Sequence, residues 1–210
     1  MYSISQKLVL ITGGVRGIGL AIAKECLKKG AKVVLCDIDS DQGLKQADNL
    51  GDNAFFYYLD VSNQQQFIDT IKMIEQEVGA IDVLVNNAGI MSIGPFCENN
   101  LDRKQMEVNV FGVINGVEAI LPHMLHRGEG TVVNVSSLAG QVAAPYAAVY
   151  SATKYAVSGL TEALHHEFYE SGIHFCAVYP GVVQTELIAG VKNMRFPRSV
   201  TPQEVAYGVL

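Results

Sequence analysis

The chain has 210 residues, 49% of them hydrophobic and 17% charged, and its 15 basic and 21 acidic side chains give a formal net charge of −6. This length and composition are typical of a single globular domain that buries a large core without disulfides or metals. The slight acidity and the absence of a basic run argue against DNA or RNA as a partner, because a phosphate backbone is bound by clustered lysine and arginine.

The cysteines and the N-terminal sequence favour a cytoplasmic protein. The four cysteines are widely spaced, form no Cys-x-x-Cys pair and lie in apolar stretches, which predicts buried thiols in a reducing compartment. The N-terminus leads almost directly into an apolar strand, unlike a signal peptide, and no run reaches the roughly 18 apolar residues of a membrane span. The five histidines lack the spacing of metal ligands, so we predict no metal site.

Six short apolar runs alternate with segments of helical periodicity, a pattern that predicts βαβ units. Each run is apolar on both faces, as parallel strands covered by helices on both sides must be. We therefore predict an α/β fold built on a parallel sheet. The predicted strands are 8–12, 32–37, 54–59, 81–86, 131–136 and 173–178.

The segments between the strands carry helix signals. Ser62 and Gln65 are placed as a capping box at the start of the third helix. The segment 101–126 is apolar on several faces, which suggests burial on two sides, one against the sheet and the other against a second subunit. The apolar face at 156–168 supports the same expectation, so we predict a homodimer or homotetramer.

The first predicted strand is followed by a glycine-rich turn that opens a helix. Glycines let the backbone turn tightly and approach a pyrophosphate, and the N–H groups and partial positive charge of the helix N-terminus favour the anion. This context predicts dinucleotide binding by the turn. Its residues are Thr12, Gly13, Gly14, Val15, Arg16, Gly17, Ile18 and Gly19.

Acidic and amide residues follow the next strands. Asp37 ends the second strand, where a carboxylate can accept hydrogen bonds from the two ribose hydroxyls of adenosine and would repel a 2′-phosphate, which favours NAD over NADP. Arg16 supports the alternative, NADP, because a guanidinium in the turn can bind a 2′-phosphate. Residues at the carboxyl ends of the third and fourth strands are either further cofactor contacts or loop-stabilising Asx turns. They are Asp60, Val61, Asn86, Ala88 and Gly89.

Across nearly its whole length the chain resembles the short-chain dehydrogenase/reductase family, and its TGxxxGxG spacing is similar to that of the compact branch. The resemblance implies a Rossmann-type, doubly wound sheet with strand order 3-2-1-4-5-6 and helices on both faces. Family members usually continue into a seventh strand, which is missing before Leu210, so we expect a domain of residues 1–210 that is truncated at its C-terminus. The matching elements are TGGVRGIG at 12–19, NNAG at 86–89, VNVFG at 108–112, VSSLAG at 135–140, YSATK at 150–154, and Pro180-Gly181 with Thr185 following.

The resemblance implies a catalytic tetrad of Asn109, Ser137, Tyr150 and Lys154. Alcohol oxidation needs a base beside the hydride acceptor, and Tyr150 is the implied base. Its phenol pKa, ordinarily about 10, must fall by roughly 2 to 3 units to act near neutrality. Lys154, one helical turn further along, supplies positive charge for this and is implied to hold the nicotinamide ribose. Ser137 is implied to bind the substrate oxygen, and Asn109 a proton-relaying water.

Two serines stand side by side in the implied site, and strand alternation sends their side chains to opposite faces. The family's spacing of 13 residues before the tyrosine selects Ser137, which leaves Ser136 as a structural residue. Three neighbours of the implied base are likewise interpreted as packing or surface groups. They are Tyr146, Ser151 and Tyr155.

After the sixth strand, Pro180 and Gly181 lead into an implied clasp on the nicotinamide carboxamide, formed by the Val183 backbone and the Thr185 side chain. The segments 91–96, 138–146 and 182–196 are largely apolar, which favours a lipophilic secondary alcohol or ketone as substrate. The leading hypothesis is therefore an NAD-dependent oxidoreductase. The alternatives are an NADP-dependent carbonyl reductase and a non-catalytic nucleotide-binding sensor or scaffold.

Overall fold

The computed structural model describes residues 3–98, 102–183 and 199–210. Within these ranges six strands form one parallel sheet in the order β3-β2-β1-β4-β5-β6, which confirms the predicted fold class and strand order. The strands are β1 (Leu8–Thr12), β2 (Lys32–Asp37), β3 (Ala54–Tyr58), β4 (Val83–Asn86), β5 (Gly130–Val135) and β6 (Ile173–Val178). The predicted bounds agree with these to within two residues.

Helices cover both faces of the sheet. The cluster on one face includes side chains of α1 and α7, and the cluster on the other includes side chains of α3 and α5, with α6 packed against it. The helices are α1 (Gly17–Lys28), α2 (Ser40–Leu50), α3 (Gln64–Glu77), α4 (Asp102–Met106), α5 (Gly112–Arg127), α6 (Ala148–Glu167) and α7 (Pro202–Val209). Residues Glu107–Phe111 form a π-helical turn between α4 and α5.

The central strands explain why the sequence showed unbroken apolar runs. In β1, Leu8 and Leu10 belong to one core cluster, whereas Val9 and Ile11 belong to the other. Side chains alternate across a strand, so a sheet buried on both faces needs apolar residues at every position. All five residues of β1 are buried.

The helix Asp102–Arg127 is long and apolar enough to cross a membrane, and no other helix among the described residues is. In the fold, 56% of its most apolar window is buried inside the protein, as in a core helix. Val117 and Ile120 pack in the core, whereas Phe111 and Leu125 are exposed. Burial against the sheet is thus as expected, and the contact with a second subunit stays a prediction.

Two local expectations were wrong. The N-cap of α3 is Asn63, not Ser62, and no capping box forms: the Ser62 hydroxyl donates to Asp60 (2.6 Å), and Asn63 accepts from the Gln66 N–H (3.0 Å). Two of the four cysteines, Cys97 and Cys176, are exposed rather than buried. They lie in a surface turn and on edge strand β6, where apolar neighbours in sequence do not ensure burial.

Candidate active site

Parallel strands direct their carboxyl ends to the same edge of the sheet, and the candidate residues gather there. The ends of β1 and β4 carry Thr12 and Asn86, and Ser137 lies two residues after β5. Helix α6 begins near this edge and brings Tyr150 and Lys154 to it on adjacent turns. Residues far apart in sequence thus form one site because of the strand order.

Ser137, Tyr150 and Lys154 form what we call the catalytic cluster. Ser137 caps a 3₁₀ turn, where its hydroxyl oxygen accepts from the Ala139 N–H (3.1 Å), and it is hydrogen-bonded to the Tyr150 phenol. Lys154 Nζ lies 5.8 Å from the centroid of the Tyr150 ring and donates to the Val135 carbonyl (2.9 Å). The Tyr150 side chain thus lies next to both Ser137 and Lys154, near the end of β5.

Burial controls the protonation of this cluster. Desolvation lowers the pKa of Lys154 to about 8, because the charged ammonium is removed from water. Desolvation also raises the pKa of Tyr150, and the hydrogen bond with Ser137 only partly offsets it. Burial of the phenol thus outweighs the positive charge expected from Lys154, and the lowered pKa of Tyr150 stays a prediction for the protein with its cofactor. The ammonium donates to a backbone carbonyl, and burial has the larger effect.

Asn109 lies in the π-helical turn, completely buried. Its Oδ1 accepts from the Ile90 N–H (2.8 Å), and its Nδ2 donates to the Ile90 carbonyl (2.8 Å) and to Thr153 Oγ1 (3.2 Å). Both amide hydrogens are thus used, and the side chain clamps the loop after β4 against α6. This geometry gives the Asn109 side chain a positioning role, and the water-binding role that the resemblance implies for Asn109 stays a prediction.

Gly89 lies directly beside this clamp. A Cβ atom added there would lie 3.3 Å from Asn109 Oδ1 and 3.8 Å from Lys154 Nζ. The loop after β4 therefore passes within contact distance of the catalytic cluster. Glycine keeps that passage open, as expected for a loop that borders a ligand.

The glycine turn after β1 has the geometry of an anion site. Gly13 and Gly17 have φ values of +62° and +53°, in the left-handed region that glycine adopts without strain. Arg16 is the N-cap of α1 but makes no side-chain capping bond, and the first turn holds no acidic residue. The first N–H groups of α1 and their partial positive charge are thus suited to a phosphate, and the turn fits a dinucleotide pyrophosphate.

Gly19 has a different role from the other glycines of the turn. A Cβ at this position would lie 2.2 Å from the Gly13 carbonyl oxygen, so the turn folds onto itself only with glycine there. Ile18, next to it, is half-buried and packs against one of the core clusters.

Thr12 and Asn87 hold this turn in place. The Thr12 hydroxyl donates to the Val85 carbonyl (3.4 Å) and accepts from the N–H groups of Asn87 and Ala88 (both 3.0 Å). Asn87 Nδ2 donates to the carbonyls of Thr12 (2.8 Å) and Gly13 (3.1 Å). The Thr12 hydroxyl thus makes its hydrogen bonds within the protein. Asn87, which the sequence analysis missed, positions the turn.

The Asn86 side chain points away from the carboxyl edge of the sheet. It is buried and donates to Asn134 Oδ1 (2.9 Å), and a Cβ at Gly116 of α5 would lie 2.5 Å from its Oδ1. The side chain therefore lies in the core, so the predicted contact of Asn86 with cofactor stays a prediction for its backbone groups. Because side chains alternate along a strand, the sequence could have predicted that Asn86 and Asn87 point in opposite directions.

At the end of β2, Asp37 Oδ1 accepts from the Asp39 N–H (3.2 Å). The Arg16 guanidinium forms an ion pair with Asp39 rather than with Asp37. Among the described residues, Asp37 Oδ2 accepts no hydrogen bond from the protein. That oxygen suits a ribose hydroxyl.

Asp60 and Val61 follow β3. Burial acts to raise the pKa of Asp60, but hydrogen bonds from the Ser62 hydroxyl and N–H, together with the charge of Lys104, hold it below its ordinary value. The Val61 carbonyl accepts from Asn115 Nδ2 (2.8 Å). These bonds fix the loop, as an Asx turn does.

The predicted nicotinamide clasp is described only in part. The Pro180 carbonyl accepts from the Leu138 N–H (2.9 Å), and a Cβ at Gly181 would lie 3.6 Å from the Leu138 side chain. Val183 is buried and forms an isolated parallel bridge with Val200. Thr185 lies outside the described residues, as does most of the predicted substrate segment 182–196.

The serine and tyrosine neighbours have structural partners. The buried Ser136 hydroxyl donates to the Lys154 carbonyl (3.0 Å), on the opposite side of the strand from Ser137. Ser151 accepts from the Ala144 N–H (3.3 Å), and Tyr155 donates to the Gln141 carbonyl. Tyr146 has a φ of +64°, unusual for a tyrosine, and its carbonyl accepts from the Gly94 N–H (2.9 Å).

The loops beside the catalytic cluster expose large apolar side chains. The hydrogen bond between Gly94 and Tyr146 joins the loop after β4 to the loop before α6. Both loops are rich in exposed apolar groups, and such a rim is typical of a site for an apolar ligand. Its members are Phe96, Leu138, Val142 and Tyr146.

Comparisons with known proteins agree with this geometry. A family model described as short chain dehydrogenase matches residues 7–195. A curated relative from Mycobacterium tuberculosis (strain ATCC 25618 / H37Rv), named 3-alpha-(or 20-beta)-hydroxysteroid dehydrogenase, is 35% identical over 206 residues, covering 95% of this chain and 79% of the relative.

Two solved structures are also similar. A 3-ketoacyl-(acyl-carrier-protein) reductase from Brucella melitensis, complexed with NADH, has a TM-score of 0.93 and 30% identity over 99% of this chain and 90% of that one. A gluconate 5-dehydrogenase from Burkholderia cenocepacia J2315, in complex with NADP and tartrate, has a TM-score of 0.91 and 33% identity over 97% and 86%.

Proposed function

This chain belongs to the short-chain dehydrogenase family of oxidoreductases, and on that premise we propose that it transfers hydride between NAD and a lipophilic secondary alcohol or its ketone. The observation that carries the proposal is the catalytic cluster: the phenol of Tyr150 hydrogen-bonded to Ser137, with the buried ammonium of Lys154 beside its ring. A nucleotide-binding scaffold would need none of these three groups.

The cluster has the parts that proton transfer at a carbonyl or hydroxyl requires. The bound nicotinamide supplies the hydride donor or acceptor. Tyr150 gives a proton to the nascent alkoxide in reduction and takes it from the alcohol in oxidation. Ser137 orients the substrate oxygen, and Lys154 adds positive charge that favours the phenolate. Asn109 keeps the loop after β4 in place beside them.

The proposed choice of NAD rests on the end of β2. The related structures hold NADH in one case and NADP in the other, so a nicotinamide cofactor is supported by both. The α1 N-terminus and glycine turn would hold the pyrophosphate, and Asp37 Oδ2 would accept a ribose hydroxyl. Arg16 favours the alternative, NADP, but its guanidinium is paired with Asp39.

The proposed substrate class rests on the exposed apolar rim of Phe96, Leu138, Val142 and Tyr146. A hydroxysteroid, the substrate class in the name of the Mycobacterium relative, is a lipophilic secondary alcohol of this kind. A homodimer or homotetramer and a cytoplasmic location complete the proposal. Exposed Phe111 and Tyr155 support the assembly, and the free cysteines fit a reducing compartment.

The test is a panel of hydroxysteroids, long-chain alcohols, sugars and hydroxy acids, assayed with NAD⁺ and NADP⁺ by the absorbance of the reduced nicotinamide. We expect turnover of lipophilic alcohols with NAD⁺ and a loss of about 10²- to 10⁴-fold in Tyr150→Phe, which lacks the transferable proton. NADH fluorescence should show that the variant still binds cofactor. Turnover of polar substrates alone would remove the substrate assignment, and full activity of Tyr150→Phe would remove the catalytic one.

A further inference from the structure

We propose that Thr153 is a positioning residue for the reaction, because its hydroxyl joins the turn of α6 that carries Tyr150 to Asn109 and so to the loop after β4. Thr153 lies within the YSATK element, but none of the roles that the resemblance implies falls on it. The inference deepens the proposed function, since it rests on the proposed role of Tyr150 in proton transfer. It assigns to Thr153 an effect that acts through its neighbours.

The Thr153 hydroxyl makes two hydrogen bonds of opposite direction. Its Oγ1 donates to the Tyr150 carbonyl (2.7 Å) and accepts from Asn109 Nδ2 (3.2 Å). A hydroxyl has one proton, so once that proton is given to a backbone carbonyl, only a donor can bind on the other side. Thr153 and Asn109 are completely buried, so water does not replace either partner. The hydroxyl therefore selects the nitrogen of the Asn109 amide rather than its oxygen.

That selection orients the Asn109 amide toward the loop after β4. With Nδ2 facing Thr153 and the Ile90 carbonyl (2.8 Å), Oδ1 faces the Ile90 N–H (2.8 Å). A flipped amide would place its oxygen against the Ile90 carbonyl and lose both bonds to the loop. Gly89, the preceding residue, lies beside the catalytic ammonium, since a Cβ added there would lie 3.8 Å from Lys154 Nζ. A shift of the loop would therefore change the space beside Lys154.

The start of α6 has no side-chain cap to hold it. Its N-cap is Ala147, which has no side-chain oxygen, and Tyr150 lies in the first turn. The bond between Thr153 and Asn109 ties this turn sideways to the π-helical turn. Because a misplacement of about 1 Å can lower a rate about 10²-fold, this bond should affect turnover.

Thr161, eight residues further along the same helix, offers a matched control. Its buried hydroxyl donates to the Val157 carbonyl (2.7 Å) and accepts from Asn134 Nδ2 (2.9 Å), so it makes the same two kinds of bond far from Tyr150. Thr153→Val and Thr161→Val each remove a hydroxyl at nearly constant shape. Both should lower the free energy of unfolding by similar amounts, because each leaves a buried amide N–H without its acceptor. A difference in activity then reports position rather than stability.

Amide hydrogen exchange, followed by NMR, tests the link to the loop without any substrate. Ile90 lies in a loop, where amides exchange by local opening. In Thr153→Val its N–H should exchange about tenfold faster than in wild type, because Asn109 no longer has a fixed orientation. In Thr161→Val the rate should stay within about twofold of wild type. An unchanged rate in Thr153→Val, or an equal rise in both variants, would overturn the inference.

Steady-state kinetics test the effect on the reaction. In Thr153→Val the kcat should fall about tenfold, with the KM for NAD⁺ changed by less than about twofold, since Thr12 and Asn87 hold the glycine turn independently. Thr153→Ser, which keeps the hydroxyl, should recover kcat to within about threefold of wild type, and Thr161→Val should keep it within about twofold.

A Thr153→Val variant with wild-type kcat, or a Thr153→Ser variant as slow as Thr153→Val, would contradict the positioning role. These failures differ from failure of the proposed function. Wild-type protein that turns over no alcohol or ketone of the panel would contradict the proposed function, even where Ile90 exchange responds as expected. An active wild type with an unaffected Thr153→Val would contradict only the role of Thr153.

Discussion

Two regions lie at the carboxyl edge of the sheet and differ in the burial of their charged and polar groups. The cofactor region, formed by the glycine turn, Arg16, Asp37 and Asp39, consists of backbone groups and half-exposed charges. The catalytic cluster of Ser137, Tyr150 and Lys154 includes a buried phenol and a buried ammonium, and burial shifts the pKa of both. The cofactor region should therefore respond to charge and salt, and the catalytic cluster to pH and to changes of single side chains.

The largest effect is expected from Lys154→Met, which removes the buried ammonium while keeping a long side chain. Turnover should fall about 10²- to 10⁴-fold, because the phenol loses the nearby positive charge that favours its phenolate. Steady-state kinetics at saturating cofactor measure this, with circular dichroism to confirm folding. A loss of less than about threefold would show that the ammonium is not part of the chemistry.

A smaller effect is expected from Gly19→Ala in the cofactor region. The new methyl group would lie 2.2 Å from the Gly13 carbonyl, so the turn must distort, at a cost of about 1 to 3 kcal/mol and with NAD⁺ binding weakened more than tenfold. Gly159→Ala in α6 is the control, since nothing lies within 4 Å of its added Cβ. Chemical denaturation and calorimetry of both variants check this; equal behaviour of the two would contradict it.

Substitutions of the adjacent residues Asn86 and Asn87 should have different effects, because Asn87 is bonded to the glycine turn and Asn86 lies in the core. Asn87→Ala removes two hydrogen bonds to the glycine turn and should weaken NAD⁺ binding about fivefold, roughly 1 kcal/mol, with little change in turnover at saturating cofactor. Asn86→Ala should instead lower the free energy of unfolding, by about 1 to 3 kcal/mol, because the buried Asn134 Oδ1 loses its hydrogen-bond donor. The reverse pattern would show that the two side chains had been assigned to the wrong faces.

Lys154 should also make the stability of the protein depend on pH. Its pKa is about 8 in the folded protein and ordinarily 10.5, so between these pH values the unfolded chain binds more protons. The contribution of Lys154 to stability should therefore rise from about pH 8 to pH 10.5. The measurement is the Tm of wild type minus that of Lys154→Met across this range. A difference that stays flat or falls would contradict the lowered pKa.

Sequence patterns predicted the parallel strands because fully buried strands are continuous apolar runs, and that signal is local, whereas the strand order came from the family resemblance. Sequence spacing also placed Tyr150 beside Lys154, since an i, i+4 pair shares a helix face whatever surrounds it, and the resemblance added Ser137. They did not predict the inward direction of the Asn86 side chain or the raised pKa of the Tyr150 phenol. Both depend on burial, which is set by elements distant in sequence.

The sequence also could not predict which side chains form hydrogen bonds or ion pairs with one another. The capping oxygen of α3 belongs to Asn63 because Ser62 is held by Asp60, and Arg16 is paired with Asp39, which no motif includes. Each position had several chemically suitable partners nearby in the sequence. Only the three-dimensional arrangement selects among them.

The central claim is that burial keeps the Tyr150 phenol protonated until positive charge arrives beside it. Its most direct test is the ultraviolet titration of phenolate in wild type minus Tyr150→Phe, with and without NAD⁺. The account predicts that Tyr150 titrates above its ordinary pKa in the free protein and at a lower pH once NAD⁺ is bound. A phenol that titrates at its ordinary pKa and does not respond to NAD⁺ would contradict it.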